Sequence, residues 1–304
     1  MSKQKHLLII AGPTAVGKTA LSIQLAKHFK TEIISADSRQ IYKELSIGTA
    51  KPTLEEQQGV KHHFIDSISI QQPYTAGDFE KDVLKKLDEL FVHHELIVMC
   101  GGSGLFIDAV CNGFDEGLVS NSETKKKING LYEQKGLAWL QDEVERLDPV
   151  YFATADISNP HRLMRALEVI ELSGFPFSDF RRNKKAARDF SVIKVLINEV
   201  REVLYEKINL RVDEMMKKGL QKEVENLYPY KKLNALNTVG YQELFEYMDD
   251  VHSLERAVAL TKQHSRNYAK RQLTWFRKNN EYEVFTPHDF EKIKSFAEII
   301  LQNS

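Results

Sequence analysis

The chain has 304 residues, 42% of them hydrophobic and 28% charged. Those proportions are ordinary for folded proteins, so a sizeable core can be buried, and the length predicts about two domains. Lys and Arg total 42 against 43 Asp and Glu, a net charge of −1, which excludes a uniformly basic nucleic-acid coat but not a local basic patch. No apolar run approaches the roughly 20 residues of a membrane helix. The first apolar run ends at Gly12 and is too short for a secretory signal. The two cysteines, Cys100 and Cys111, have neither metal-ligand spacing nor the number a disulfide framework needs, so a reducing, cytoplasmic setting is expected.

Residues His6 to Ala11 are apolar without helical period and read as a buried strand. A glycine-bounded loop follows, then the helix-compatible segment Ala20 to Ala26. Glu32 to Ala36 reads as a second strand ending at Asp37-Ser38. Phe79, Val83, Leu84, Leu87, Leu90 and Phe91 recur at helical spacing. A third strand, Leu96 to Cys100, runs into Gly101-Gly102-Ser103-Gly104. Strand and helix alternate here, which predicts a parallel sheet covered on both faces. After Asn112-Gly113 only helical periods appear, carried by Leu137, Leu140, Val144 and Leu147, then Leu163, Leu167 and Ile170. Ser191 to Asn198 reads as a strand again. Beyond Glu199 the chain is helical except for a strand at Tyr282 to Phe285. With Gly12 to Thr19 fitting G-x-x-x-x-G-K-[ST] after the first strand, the expected architecture is α/β, a P-loop NTPase-like parallel sheet core with an all-helical insertion domain and a helical C-terminal part. The core takes residues 1–116 and 189–304, the insertion 117–188.

Gly12-Pro13-Thr14-Ala15-Val16-Gly17-Lys18-Thr19 fits G-x-x-x-x-G-K-[ST] between a strand and a helix, the context that motif requires. Glycine lets successive N–H groups point inward as an anion nest, and the helix N-terminus adds positive potential there. Lys18 supplies a full charge, and Thr19 a hydroxyl suited to magnesium. The loop reports a di- or triphosphate without saying which. NTPases of this class usually carry a magnesium-holding acid after a second strand, but Leu96 to Cys100 leads into glycines instead. Asp37 is the acid best placed to face the loop, with Ser103 converging beside it. Asp37 reads equally well as a proton acceptor or metal ligand and as a simple cap.

No acidic residue lies between Ala257 and Asn280, a helical stretch holding Arg266, Lys270, Arg271, Arg277 and Lys278 among Tyr268, Trp275 and Phe276. Such a stretch grips phosphates and stacks bases, or is a solvated helix face with its aromatics turned inward. Arg181 to Lys185 and the pair Arg162 and Arg165 are further basic groups. With the phosphate site they point to a long polyanion bound by both domains.

The ordered series Gly12 to Thr19, Asp37-Ser-Arg-Gln-Ile-Tyr42, Ile47-Gly-Thr-Ala-Lys-Pro52, Gly101-Gly-Ser-Gly-Leu-Phe106, Asn159-Pro-His-Arg162, Arg211-Val-Asp-Glu-Met215, Val239-Gly-Tyr-Gln242 and Lys270-Arg-Gln-Leu-Thr-Trp-Phe-Arg277 resembles the bacterial-type tRNA dimethylallyltransferases end to end. Ser103 and Phe106 replace the Thr and Tyr of the family pattern. The resemblance implies transfer of a dimethylallyl group from dimethylallyl diphosphate to N6 of the adenosine immediately 3′ of the anticodon, in tRNAs reading codons that begin with U. It implies catalytic roles for Lys18, Thr19, Asp37, Ser103 and Arg211, with Asp37 as base, Gly12 to Thr19 on the diphosphate, and Mg2+ at Thr19. Contacts to tRNA are implied at Asp37, Ser38, Arg39, Gln40 and Ser103, and in the insertion at Lys125, His161, Arg162, Leu163, Met164 and Arg165. Others are implied at Gly240, Tyr241, Lys270, Arg271, Gln272, Thr274, Trp275 and Arg277. A cytoplasmic monomer without membrane contact is expected. The alternatives are a P-loop small-molecule kinase with Asp37 as base and a non-enzymatic RNA-binding P-loop protein.

Overall fold

A computed structural model describes residues 4–113, 121–180, 186–278 and 280–303. Strand β1 (His6–Ala11) is buried on both faces, as its unbroken apolar run requires. Helix α1 (Lys18–His28) leads to β2 (Ile33–Ala36), the two-residue β3 (His62–His63), α2 (Ala76–Leu90), β4 (Leu96–Gly101) and α3 (Gly104–Asn112). Four helices follow, α4 (Ser122–Leu147), α5 (Pro149–Phe152), α6 (Pro160–Ser173) and α7 (Phe177–Phe180). The chain returns to the sheet in β5 (Ser191–Ile197). It ends through α8 (Arg201–Lys217), α9 (Leu220–Leu227), α10 (Tyr241–Met248), α11 (Leu254–Arg277), β6 (Glu283–Phe285) and α12 (Phe290–Gln302). The six strands form one parallel sheet in the order β3-β2-β4-β1-β5-β6.

Alternate side chains of β1 feed opposite cores. Leu7, Ile9 and Ala11 join Phe79, Phe106, Leu220 and Tyr241 on one face. Leu8 and Ile10 join Leu21, Leu25, Leu204, Ile208 and Ile293 on the other. Two strands begin a residue later than their composition predicts, at Ile33 and Glu283. Edge strand β3 escapes sequence reading because two histidines carry no apolar pattern.

Asn112–Ala186 forms a compact unit separate from Met1–Cys111 with Ala187–Ser304. Its core is Ile128, Leu140, Val144, Tyr151, Leu163, Ala166 and Leu167. Gly136, at φ 76°, breaks α4 into two segments. Buried Asp148 stitches the unit together, accepting from Tyr151 N at 2.9 Å, Ser178 N at 2.7 Å and Ser178 Oγ at 2.8 Å. Asn159 caps α6, with Pro160 in its first turn, where a missing N–H costs nothing.

Phe79 is fully buried and stacks on Phe106 at 4.3 Å, with Phe64 edge-on at 5.4 Å. The position expected to hold a tyrosine is thus apolar in its surroundings, and Phe106 leaves no hydroxyl to satisfy. Phe79→Ala is expected to lower stability by about 3–5 kcal/mol, transfer plus cavity, read as a shifted urea midpoint. A shift under a quarter of that size would mean the cluster contributes little.

Candidate active site

Sheet register brings the site together. Ala11 and Ala36 both pair with Gly101, so Gly12, Asp37 and Gly102 leave the carboxyl edge at one level. Ligands of open parallel sheets bind at that edge. Strands pass so closely that a Cβ at Gly101 would stand 2.1 Å from the Ala36 carbonyl oxygen. A Cβ at Gly12 would stand 2.5 Å from that of Ile197. Gly17, at φ 104°, turns the loop into α1. That helix has no side-chain cap and no acid in its first turn, so its leading N–H groups and their positive potential stay available to a ligand.

Gln272 ties the loop to the end of β4. Its Oε1 accepts from Thr14 N at 2.9 Å and its Nε2 donates to Gly102 O at 2.9 Å. A Cβ at Gly102 would meet that nitrogen at 2.2 Å. Gln272, expected at the RNA, is buried and belongs to the phosphate loop's scaffold.

A cavity of about 80 Å³ is lined by Thr14, Lys18, Thr19, Asp37, Gln40, Thr49, Cys100, Arg211, Tyr268 and Gln272. Lys18 Nζ donates to Pro13 O at 2.6 Å. Arg211 spans from Thr14 Oγ1 to Ala50 O, both at 3.5 Å. Neither cation forms an ion pair with a described residue. Burial lowers the Lys18 pKa to about 8, with Arg211 repulsion adding to the drop and Asp37 opposing it. Burial also lowers that of Arg211, against the pull of Asp37 and Glu56. The Cys100 thiol is pushed up by burial and stays neutral. Two cations beside an uncapped helix N-terminus make a site built for a polyanion.

Asp37 Oδ1 accepts from Arg39 N at 2.9 Å and Gln40 N at 3.2 Å, so the carboxylate does cap a turn. Its Oδ2 has no hydrogen bond among the described residues. The cap reading of Asp37 is thus met through Oδ1, which leaves Oδ2 without a bonded partner among the described residues. Ser103 Oγ accepts from Ser38 N at 3.0 Å and sits by Tyr268, whose phenol burial pushes up to about 12. A second cavity, of about 470 Å³, shares Thr14, Asp37, Thr49, Arg211 and Tyr268 with the first. It continues past Ser38, Arg39, Asn237, Gly240, His264 and Arg271. That volume lies in the range of small-molecule sites. Asp37 thus stands between an anion pocket and a larger chamber.

Thr19 has no hydrogen bond among the described residues and faces the anion pocket. No cluster of three or more His, Cys, Asp or Glu able to hold a metal occurs among those residues. A divalent ion here would take the Thr19 hydroxyl, phosphate oxygens and water, the coordination that suits magnesium.

On α11, Lys270, Arg271, Thr274 and Arg277 are exposed. Trp275, 40% exposed, lies against Gly104 and donates to Asp108 Oδ2 at 2.8 Å. Arg271 stacks over Tyr268 at 5.7 Å. Arg266 is engaged internally, donating to Asn209 Oδ1 at 2.6 Å, and Phe276 is core. The basic side chains Lys270, Arg271 and Arg277 thus lie on the exposed face of this helix and Phe276 on its buried face. Tyr241, expected at the RNA, is 0% exposed, because Gly48 packs onto its ring. In the insertion, Lys125, His161 and Arg162 are exposed and Met164 half-buried. Arg165 pairs with Glu168 at 2.7 Å. Leu163, also expected at the RNA, is fully buried because its position on α6 faces the unit's core. The cluster Arg181 to Lys185 lies outside the described residues. Glu223, which holds the loop at Gly48, has no sequence signal beyond its place in α9.

The IPP transferase family model matches residues 40–279. This chain belongs to that family. It is 51% identical to a tRNA dimethylallyltransferase of Christiangramia forsetii over 92% of this chain and 93% of the relative. The Cytophaga hutchinsonii enzyme of the same name is 45% identical over 98% of both chains. Among solved structures, the tRNA isopentenylpyrophosphate transferase of Bacillus halodurans superposes with a TM-score of 0.74 at 34% identity, covering 99% of this chain and 98% of that one. No helix among the described residues is long and apolar enough to cross a membrane.

The lowered Lys18 pKa makes a pH prediction. Between about 8 and 10.5 the folded chain has lost a proton that the unfolded chain keeps, so stability rises with pH across that window. A bound diphosphate favours the charged amine and reverses the loss. Binding of an organic diphosphate at pH 9 is therefore expected to take up a proton, seen as buffer-dependent heat in calorimetry. Lys18→Met should bind weakly and show no such dependence. Buffer-independent heat in the unaltered chain would separate Lys18 from the anion.

Proposed function

We propose that the chain transfers a dimethylallyl group from dimethylallyl diphosphate to N6 of the adenosine immediately 3′ of the anticodon, in tRNAs reading codons that begin with U. The observation that carries this reading is Asp37, with a free oxygen between an unneutralised anion pocket and a chamber of about 470 Å³. Family membership supplies the substrate class.

The diphosphate occupies the Gly12 to Thr19 nest with Lys18 and Arg211 on its oxygens. As the C1–O bond breaks, charge collects on the leaving diphosphate, and donors already in place stabilise it without reorganising. Positive charge at C1 is spread over the allyl system. The adenine amine is a weak nucleophile, its lone pair being drawn into the ring. Asp37 Oδ2 accepts the N6 proton while the N6–C1 bond forms, so prenylated adenosine and diphosphate are the products. Magnesium, bound through Thr19, would add charge to the diphosphate side.

The acceptor base must leave the anticodon-loop stack to enter the chamber, at a cost of a few kcal/mol. Arg39, Tyr268 and Arg271 line that chamber, and Lys270, Trp275 and Arg277 lie along the same helix. Arg162 and Arg165 offer the insertion's own phosphate contacts. The protein acts as a cytoplasmic monomer. A small-molecule kinase is not favoured: β4 ends in glycines, and the matching relatives bear the transferase name.

Incubating the chain with tRNA and dimethylallyl diphosphate should give one prenylated adenosine, found by mass analysis of digested nucleosides. ATP turnover on a small alcohol with unmodified RNA would favour the kinase. Asp37→Asn should slow transfer by about 10²–10⁴-fold, the usual worth of a positioned base, with tRNA affinity nearly unchanged. An unaltered rate would remove Asp37 from the chemistry.

Neutralising Lys270 and Arg271 together should weaken tRNA binding and reduce the slope of log affinity against log salt by about 1 for each phosphate no longer engaged. An identical slope would assign this face to solvent.

A further inference from the structure

The loop Ser46 to Ala50 borders the anion pocket, and one carboxylate holds it. Glu223 Oε2 accepts from Ser46 N at 3.2 Å and Ile47 N at 2.8 Å. Its Oε1 accepts from Gly48 N at 3.0 Å and from the Tyr241 hydroxyl at 2.6 Å. Four donors thus converge on one anion, three of them successive backbone N–H groups, which is the geometry of an anion nest closed by the protein's own side chain. Glu223 has no ion pair among the described residues. Burial and that carboxylate push the Tyr241 phenol well above its ordinary range, so it remains a donor. The ring of Tyr241 fills the space a side chain at Gly48 would need, with its atoms 2.5 Å from a Cβ there.

The far end of the loop faces the chemistry. Ala50 has φ 47°, left-handed for a residue with a Cβ, a conformation that persists only where the surroundings impose it. Its carbonyl oxygen turns inward, 3.3 Å from Gln40 Nε2 and 3.5 Å from Arg211 Nη2. Thr49 O accepts from Gln40 Nε2 at 3.1 Å. The unneutralised guanidinium that faces the diphosphate site is therefore aimed by a strained carbonyl. Glu223 grips Ser46, Ile47 and Gly48, the residues two to four positions before Ala50.

We propose that Glu223 is a positioning residue for the donor. Through the loop Ser46 to Ala50 it sets Arg211 toward the diphosphate and touches neither substrate. The inference rests on the diphosphate reading of the pocket and adds a remote residue to it. An amide cannot replace the carboxylate, since its NH₂ would face backbone N–H groups. Tyr241→Phe removes one donor and leaves the other three, so it perturbs the same loop more gently.

The test is equilibrium binding of dimethylallyl diphosphate without tRNA, set in a double-mutant cycle with Arg211→Ala. Glu223→Gln is expected to weaken donor binding about tenfold, one lost charge-assisted hydrogen bond's worth, with Tyr241→Phe changing it in the same direction by less. In the Arg211→Ala background both effects should vanish, because the residue they act through is gone. Equal donor affinity in Glu223→Gln and the unaltered chain would overturn the proposal. So would a loss of the same size with and without Arg211, which marks a general effect on the fold. If Glu223→Gln does not fold, the Tyr241→Phe arm of the cycle decides in its place. Absence of donor binding in the unaltered chain would instead refute the diphosphate reading itself.

Discussion

Two cations at the carboxyl edge of the sheet have no ion-pair partner among the described residues, and the site is organised by that deficit. Lys18 and Arg211 sit close enough to repel, and burial weakens the charged state of each. A protein concerned only with its stability would pair them or move them into water. On the proposed function the cost is recovered when a diphosphate enters, because the anion then meets fixed charges and N–H groups with nothing to rearrange. The absence of a carboxylate directly after β4 belongs to the same logic. An acid beside Gly101-Gly102 would partly neutralise the pocket. It would also suit hydrolysis, which needs a positioned water, better than transfer to an amine.

Parallel register converts this demand into geometry. Ala11, Ala36 and Gly101 stand side by side, so the phosphate loop, the Asp37 turn and the Gly102 turn meet without a long loop between them. Glycines permit the spacing, and Gln272 bridges two of those turns with one amide. Asp37 and the anion pocket are therefore both placed by the register of the sheet. The basic stretch of α11 extends from this frame, with its inward face supplying Gln272 and Phe276 and its outward face Lys270, Arg271 and Arg277.

Legibility in the sequence follows the range of the interaction. β1 and β4 are readable because burial on both faces imposes an unbroken apolar run, and α2 because one buried stripe imposes a period. The phosphate loop is readable because backbone geometry demands glycine at fixed offsets. Partners brought together by folding leave no such trace. Gln272 looks like another polar residue on a basic helix, and only the structure joins it to Thr14, 258 positions away. Tyr241 and Leu163 fall within motifs expected to face RNA, yet a helix turns one position in three or four inward, and these are buried. Glu223 looks like an ordinary acid in a helix's first turn. Its significance depends on three backbone amides that no residue type encodes.

In the proposed reaction the two oxygens of Asp37 divide structure and chemistry between them. Were both free, the carboxylate could rotate away from an incoming amine. Were both bonded to the backbone, neither could accept a proton without breaking the turn. With Oδ1 held by Arg39 N and Gln40 N, the group is anchored where Asp37 lines both cavities, and Oδ2 has no hydrogen bond among the described residues. In the proposed reaction the accepting oxygen is thereby fixed by a backbone turn, while Lys18 and Arg211 line the smaller cavity beside it from other elements.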